Sequence, residues 1–305
     1  MIVRHTNQID KILKDDKYLS NRLEAEIMRN VHSIEKGLSL VHPRKLFGLE
    51  KINTMLDQVD RYVKLSCINM NIMHMVVDAL KAYLQFHSDE EYLELNYIKD
   101  KVSKYIEQFA VSETPVRGGV QYISFQCGDD DYLNLKKIAE QRHSIRDFSE
   151  EHVPIEQLRK AIIVAQRAPS ACNRQGVRAY VITGKHKDCL KGWLEGTGGF
   201  SDAVDKYILI TGKLSSYRRD EPFQYIVSAS IFAGYLTLAL QSQGIGSCII
   251  QRSVLYNKKW TEVAKSLCIP GDEQAVLMIG IGMPKKEYAV PISWRLQYDG
   301  QVKEL

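Results

Sequence analysis

The strongest constraint on the fold is a change in the spacing of apolar residues near residues 110–119. This stretch, AVSETPVRGG, contains Pro115, Gly118 and Gly119, which is typical of a turn or linker. The sequence before it has the three-to-four-residue apolar spacing of amphipathic helices. The sequence after it also contains short apolar runs that favour buried strands. We therefore predict a helical region over residues 1–115 and a second region over 120–305 that mixes helices and strands.

Four apolar stripes in the first region predict four helices. Three of them begin near Leu19, Leu49 and Ile72, and the fourth follows Asp89, a residue type that caps helix N-termini. Between the first two helices, residues 32–48 are polar and rich in turn formers. Such a segment is either a solvated helix–helix connection or a loop that contacts a ligand.

The second region contains helical and strand-like segments in alternation. The predicted strands are 120–125, 177–183, 206–211 and 274–281, and the predicted helices are 134–141, 154–168 and 222–243. The last helix is mostly apolar and contains small residues such as Ala233 and Gly234, so we expect it to be central. This mixture favours an α+β or α/β fold and excludes an all-β one.

Charge and cysteine usage exclude several partner classes. The chain has 41 Lys and Arg against 37 Asp and Glu, a net charge of +4 that is too small to indicate nucleic acid. It shows no run of about 18 uncharged apolar residues, so we expect no membrane partner. The N-terminus lacks the apolar core of a secretory signal. The six cysteines form neither CxxC pairs nor a zinc set, which predicts reduced thiols in the cytoplasm and no metal; a set of dispersed disulfides is the alternative.

Common catalytic motifs are absent from the sequence. There is no GxxxxGK[ST], HExxH or GxSxG. The glycines at Gly244 and Gly246 follow a predicted helix, whereas a dinucleotide fingerprint must follow a strand, so we interpret them as a turn. The sequence therefore favours neither hydrolysis nor phosphoryl transfer.

Two polar segments of the second region offer groups that could bind a cofactor. Arg142–Arg146 places two guanidinium groups and a hydroxyl within five residues. Ala168–Gln175 offers a hydroxyl, two carboxamides and free backbone donors after a proline. Arginine suits phosphate or a ring carbonyl, and carboxamides can both donate to and accept from a polar heterocycle. Each segment alone would more commonly be a solvated surface.

Taken together, four segments resemble the nitroreductase family of FMN-dependent oxidoreductases. They are Arg142–Phe148 (RHSIRDF), Ala168–Gln175 (APSACNRQ), Gly244–Cys248 (GIGSC) and Gly282–Pro284 (GMP), and Arg295 follows the last one. They occur in the family's order, and the resemblance covers about 137–303. It implies an α+β fold with a nitroreductase-like mixed sheet sandwiched by helices. The all-helical N-terminal region is an extension of this core.

The resemblance also implies a homodimer with FMN at the subunit interface and NAD(P)H as electron donor. The residues it assigns to the cofactor are Arg142, His143, Ser144, Arg146, Pro169, Ser170, Asn173, Gln175, Gln251, Arg252 and Arg295. The arginine segment would come from one subunit and the Ala168–Gln175 loop from the other, with Arg295 on the phosphate. Many relatives have Gly-Gly or Glu-Gly where this chain has Gln251 and Arg252. Ser293 and Trp294 stand where relatives have a further basic residue.

The implied activity is reduction of a nitro, quinone or related small electrophile by ping-pong hydride transfer through flavin N5. Such chemistry needs no dedicated protein acid, so no catalytic residue is assigned. A cation such as Arg146 would stabilise negative charge on the reduced ring. Two alternatives stay open: a flavin dehydrogenase acting on a biosynthetic intermediate, and a non-catalytic scaffold on the same fold. Rapid reduction of the bound flavin by NAD(P)H favours the first activity, and slow reduction favours the dehydrogenase.

The N-terminal extension has two possible roles in this framework. It could cap the flavin pocket, with basic residues such as His32, Lys36, His42 or Arg44 near the acceptor. It could instead widen the dimer interface.

Overall fold

The computed structural model describes residues 2–89, 91–109, 115–190, 192–251, 259–296 and 302–303. The helices are α1 (Ile2–Leu13), α2 (Leu19–Leu38), α3 (Leu49–Tyr62), α4 (Met70–Phe86), α5 (Asn96–Phe109), α6 (Asp129–Gln141), α7 (Ile155–Ala165), α8 (Gln224–Ser242) and α9 (Trp260–Ser266). The strands are β1 (Val177–Ile182), β2 (Lys206–Lys213), β3 (Gly246–Ile250) and β4 (Glu273–Gly282). This combination confirms the α+β class with a helical N-terminal region.

Helices α2 to α5 form a bundle with its own apolar core. α2 packs against α3 and α4, and α4 packs against α5. Their buried faces are the stripes predicted from the sequence, and they include Ile27, Ile52, Met55, Val76 and Tyr105. Burying one such aliphatic side chain contributes about 1.5–3 kcal/mol, so tertiary packing supplies most of what stabilises these helices.

Asp89 does not cap α5, contrary to the prediction. A short 3-10 turn at Leu93–Leu95 precedes the helix, which begins at Asn96. The Asp89 carboxylate forms an ion pair with Lys45 instead. The sequence pattern puts Asp89 near the predicted helix start. Its side chain is unavailable as a cap because it pairs with Lys45 from the 40–48 loop.

Residues 115–119 lie against the bundle. The backbone N–H of Arg117 donates to Asp78 Oδ2 at 2.8 Å, and that of Gly119 donates to Glu35 Oε1 at 3.3 Å. A Cβ on Gly118 would lie 2.4 Å from the Met75 carbonyl oxygen, so glycine permits this close approach. The segment predicted as a linker is therefore fastened to α2 and α4 over these five residues.

The four strands form one sheet in the order β1-β2-β4-β3, and all three pairings are antiparallel. Parallel pairing in the described residues is limited to a single bridge between Ser144 and Ser247. β2 and β4 are central and buried on both faces, which explains their continuous apolar sequences. Three of the strands match predicted segments. β3 begins at Gly246 itself, so the turn interpretation holds for Gly244 and is wrong for Gly246, whose backbone pairs with Gly282 of β4.

Each face of the sheet is covered by its own apolar cluster. On one face, Ile208 and Ile210 pack with α7, α8 and α1. On the other face, Tyr207 and Leu209 pack with Trp193 and Trp260, whose ring centroids are 5.9 Å apart. The alternation follows from the two-residue period of a strand. The sheet is thus sandwiched, as expected.

Helix α1 contributes to the core of the second region although it is first in sequence. Ile9 and Ile12 are buried in the cluster beneath α7 and α8. The Gln8 amide donates to the side chain of Gln274 at 2.9 Å, and Arg219 pairs with Asp10 at 3.2 Å. The chain therefore begins on the sheet and then leaves it to form the bundle.

The strand predicted at residues 120–125 is wrong. Residues 120–125 form no strand, and Tyr122 and Phe125 are 96% and 91% exposed.

Among the described residues, helix α8 is long and apolar enough by length and composition to cross a membrane, a test that we expected no segment to meet. It meets the test because its polar residues are uncharged. Its contacts are those of a core helix, since it packs on α7 and β2.

Candidate functional site

The Arg142–Phe148 segment is fastened to one end of the sheet. The N–H of Ile145 donates to the carbonyl of Ser247 at 3.0 Å, and the N–H of Ser149 donates to the carbonyl of Met283 at 2.8 Å. Three of the four sequence motifs, those that begin at Arg142, Gly244 and Gly282, therefore lie side by side. About 100 residues of sequence separate the arginine segment from Gly244. Spacing alone could not have predicted this contact.

Two motif glycines are explained by the packing of Phe148, a buried residue. A Cβ on Gly246 would lie 3.0 Å from the Phe148 ring, and a Cβ on Gly282 would lie 2.7 Å from it. Gly246 and Gly282 are also paired across β3 and β4. Because both glycines leave room for the ring, Phe148 anchors the arginine segment against these strands.

Arg142 and Arg146 are two uncompensated cations beside this anchor. Arg146 donates to the Ser144 carbonyl at 3.2 Å, and its guanidinium lies 6.0 Å from the ring centroid of Phe200. Neither arginine has a carboxylate within ion-pair distance in the described part of the chain. Burial raises the pKa of the Cys248 thiol, and the charges of Arg146 and Arg142 lower it. Both guanidinium groups therefore lie near β3, the strand that contains Cys248. Such a cluster suits an anionic ligand.

The Ala168–Gln175 loop has an unusual backbone. Cys172, Asn173 and Gln175 have φ values of 50°, 51° and 49°, in the left-handed region that glycine normally occupies. The Ser170 hydroxyl accepts a hydrogen bond from the Gln175 N–H at 3.0 Å, which closes the loop. Non-glycine residues in this region cost about 1–3 kcal/mol each and concentrate at functional sites. The predicted ligand groups of this loop therefore sit on a constrained, turn-shaped backbone.

Arg174 holds the loop in place and was not predicted as important. It is 4% exposed and donates to the Ala171 carbonyl at 3.0 Å and to the Ser216 carbonyl at 2.9 Å. It also makes a bidentate ion pair with Glu221. Burial raises the pKa of the Glu221 carboxyl, but hydrogen bonds from Arg174 and from the Arg218 N–H hold it below its ordinary value. No sequence spacing connects Arg174 with Glu221, which explains why the pair was missed.

The two groups of predicted ligands lie at opposite corners of the sheet. Val177, which follows the loop, pairs with Gly212, and Gly212 pairs with Gln274 at the start of β4. The arginine segment instead adjoins Gly282 at the end of β4. Gln274 and Gly282 are separated by about 27 Å in an antiparallel strand. β1 and β3 are also the two edge strands.

The remaining predicted site residues are less tightly placed. His143 is half-buried, Pro169 is exposed, and Gln251 is exposed directly after β3. Arg295 is exposed and donates to the Ser293 carbonyl. Arg252 lies outside the described residues. A metal centre was not expected, and the described residues contain no group of three or more His, Cys, Asp or Glu side chains placed to hold an ion.

With this geometry in place, the family of the second region is clear. Residues 139–211 and 193–283 match the model of the nitroreductase family. The segment from 139 to 283 is therefore a nitroreductase-family domain, preceded by a helical region. A comparison with curated proteins found no match.

Several solved structures are similar to part of this chain. A Bacillus subtilis protein named as a nitroreductase is 19% identical, with a TM-score of 0.50, and the match covers 57% of this chain and 100% of that one. Another, from Desulfovibrio desulfuricans in complex with FMN, is 20% identical, with a TM-score of 0.49, covering 56% and 96%. An FMN-dependent nitroreductase from Clostridium difficile is 24% identical, with a TM-score of 0.45, covering 55% and 96%. At 19% identity, the likeness to the Bacillus subtilis protein shows the fold alone.

Proposed function

We propose that this chain is an FMN-dependent oxidoreductase that uses NAD(P)H to reduce a nitro, quinone or related small electrophile. The observation that carries the proposal is the pair of uncompensated guanidinium groups, Arg142 and Arg146, fixed beside Ser144 at the β3–β4 end. Family membership and the FMN named for two of the similar structures support it. The proposed compartment is the cytoplasm, which supplies NAD(P)H and keeps thiols reduced.

The residues present fit FMN by their chemistry. Arg142 and Arg146 offer unpaired cations for a phosphate or an electron-rich ring edge, and Ser144 adds a hydroxyl. Asn173 and Gln175 offer carboxamides that can match both donors and acceptors of the pyrimidine part. When bound, FMN supplies two-electron hydride chemistry, and the protein orients it and sets its electrostatics. A fixed guanidinium near the ring lowers the cost of the negative charge that reduction creates.

The proposed site needs two copies of the chain. The arginine segment and the Ala168–Gln175 loop are about 27 Å apart along the sheet, which is longer than one FMN molecule. One cofactor can contact both groups only if a second subunit supplies the loop. We therefore propose a homodimer with one site at each end of a shared interface.

Exposed apolar surface on α8 and around α6 supports the proposed interface. Val227, Ile231 and Tyr235 are one helical turn apart on α8, and all three are exposed on the face turned away from the sheet. Helix α6 has no buried residue, and Tyr122 and Phe125 extend into solvent beside it in sequence. Large exposed apolar patches on monomers commonly mark protein–protein contacts, so these surfaces are suited to a second copy.

The test is an absorbance spectrum of the purified protein, followed by anaerobic titration with NADH and with NADPH. We expect bound flavin, which one of the two donors bleaches rapidly and an added quinone then restores. Protein that stays colourless after incubation with FMN and desalting would overturn the cofactor assignment. Bound flavin that neither donor bleaches would overturn the NAD(P)H-driven reaction and leave the FMN assignment intact.

A further inference from the structure

A second cavity lies in the helical bundle, outside the proposed flavin site. It occupies about 450 Å³ between the C-terminal half of α2 and the start of α3. We name it the basic cavity. Its lining combines the basic residues His42, Arg44 and Lys51 with the apolar residues Ile34, Leu40 and Phe47. None of its described lining residues is acidic.

The cations of the basic cavity are left uncompensated. Lys51 Nζ donates to the Ser33 hydroxyl at 3.0 Å, a neutral partner on the cavity wall. His42 and Arg44 have no carboxylate within ion-pair distance in the parts of the chain that the structure describes. The neighbouring Lys45, by contrast, is paired with Asp89 outside the cavity. The charges of Arg44 and Lys51 therefore lack a counter-ion among the described residues.

The loop that forms the cavity is held rigidly by α4. The Leu46 N–H donates to His87 Nε2 at 2.8 Å, and Tyr83 OH donates to the Phe47 carbonyl at 2.7 Å. Leu46 has a φ of 54°, a left-handed conformation that these contacts maintain. The basic side chains are thus presented from a constrained backbone, which lowers the entropy lost on binding.

The first turn of α3 adds a favourable field at the cavity. Gly48, which lines the cavity, is the N-cap residue, and no side chain caps the helix there. The first N–H groups of a helix lack intrahelical partners and favour anions. This contribution is secondary to the charges of Arg44 and Lys51.

We infer that the basic cavity binds a small phosphorylated organic molecule. The phosphate contacts His42, Arg44 and Lys51, and the organic part lies against Ile34, Leu40 and Phe47. Phosphate is favoured over carboxylate because a charge near −2 matches the charges of Arg44 and Lys51, and its three acceptor oxygens leave one for the imidazole of His42. The apolar wall favours an organic ester over the free ion, because inorganic phosphate would leave that surface in contact with water.

The test is calorimetric titration of the FMN-loaded full-length protein with inorganic phosphate and with phenyl phosphate. We expect saturable binding of phenyl phosphate that is at least about tenfold tighter than that of inorganic phosphate. The double variant Arg44→Gln, Lys51→Gln should weaken phenyl phosphate binding by about 100-fold, since each lost charge-assisted contact costs about tenfold.

A matched control separates a site from general electrostatics. The double variant Arg61→Gln, Lys64→Gln removes the same charge from exposed positions near the other end of α3 and should change binding by no more than about twofold. Equal weakening by both double variants would overturn the inference, as would the absence of saturable binding. Phenyl phosphate that binds no better than inorganic phosphate would overturn it too. All four side chains are exposed, and an unchanged far-ultraviolet circular dichroism spectrum would show that the helical bundle of each variant folds.

Discussion

The guanidinium of Arg174 meets the carboxylate of Glu221 through two hydrogen bonds, Nη1 to Oε2 at 2.7 Å and Nη2 to Oε1 at 2.8 Å. Planar, bidentate pairing of this kind fixes orientation as well as distance. Arg174 belongs to the loop that carries Ser170 and Gln175, and Glu221 lies just before α8. The pair therefore couples the position of a proposed flavin-binding loop to the start of the central helix.

Replacing Glu221 with Ala should destabilise the protein and loosen this loop. It leaves the buried Arg174 charge without a partner, which costs about 3–5 kcal/mol in a buried pair and about 2–3 kcal/mol here, because Glu221 is partly exposed. Urea unfolding at pH 7 measures the loss. The same substitution at Glu156, which forms an exposed pair with Arg159, should cost less than about 1 kcal/mol. Equal losses in the two variants would contradict the anchoring role.

The contrast between local and long-range features explains what the sequence could predict. Helices α7 and α8 and strands β1, β2 and β4 were predictable because each has an apolar pattern that is complete within its own segment. The contact between Ile145 and Ser247 and the pair of Arg174 with Glu221 join segments that are distant in sequence, and no periodicity records them. The site was accessible only through its resemblance to a family.

The wrong strand prediction at residues 120–125 has a related cause. Alternating apolar residues indicate a strand because one face is usually buried in the same chain. Here Tyr122, Ile123 and Phe125 are all exposed in the single chain, and none of the four described strands pairs with them. A segment selected to contact a second copy would carry the same pattern. Sequence alone does not distinguish burial within a chain from burial between chains.

Asp205 should give the stability a defined pH dependence. Burial raises the pKa of its carboxyl, but contacts from Lys206, the Val153 N–H and His152 lower it below its ordinary value. A depressed folded-state pKa stabilises the fold above the unfolded value of about 3.9, and this contribution is lost as pH falls through the folded value. Asp205→Asn should therefore lower the free energy of unfolding by about 1–2 kcal/mol at pH 6.5.

The difference between wild type and Asp205→Asn should then shrink as the pH is lowered towards 3. Urea unfolding at pH 6.5, 4.5 and 3 measures it. Asp100→Asn, at an exposed position on α5, serves as a control and should match wild type at each pH. A difference for Asp205→Asn that stays constant over this range would mean that its charge is not responsible.

Placing a charge on the exposed stripe of α8 should separate the proposed dimer. Ile231→Asp would bury a carboxylate in the interface, which costs several kcal/mol without a partner. Light scattering after size exclusion should report a monomer, and the FMN content should fall because one subunit lacks the other's loop. Leu93→Asp makes the same change at a residue that is 84% exposed on the helical bundle, and it should leave the dimer intact. Monomeric wild-type protein with full FMN content would exclude the shared site.

Neutralising Arg146 should weaken FMN binding directly. The lost contact is charge-assisted and worth about 1.5–3 kcal/mol, so Arg146→Gln should raise the Kd for FMN by about 10- to 100-fold. Fluorescence titration of the flavin-free protein measures the change. Arg159→Gln removes an exposed arginine on α7 and should leave the Kd unchanged. An unaltered affinity in Arg146→Gln would remove this residue from the proposed site.

Gly37→Ala tests the packing behind the basic cavity. Alanine is a better helix former than glycine by about 1 kcal/mol, yet its Cβ would lie 2.0 Å from Phe47 Cε2. The Phe47 ring cannot easily move, because it packs against Tyr83 with centroids 5.2 Å apart. The clash should dominate, with a net loss of about 1–3 kcal/mol in the free energy of unfolding. Adding Phe47→Leu should recover at least half of that loss, since the smaller side chain leaves room for the methyl group. If the two substitutions were simply additive, the contact between Gly37 and Phe47 would not be the cause.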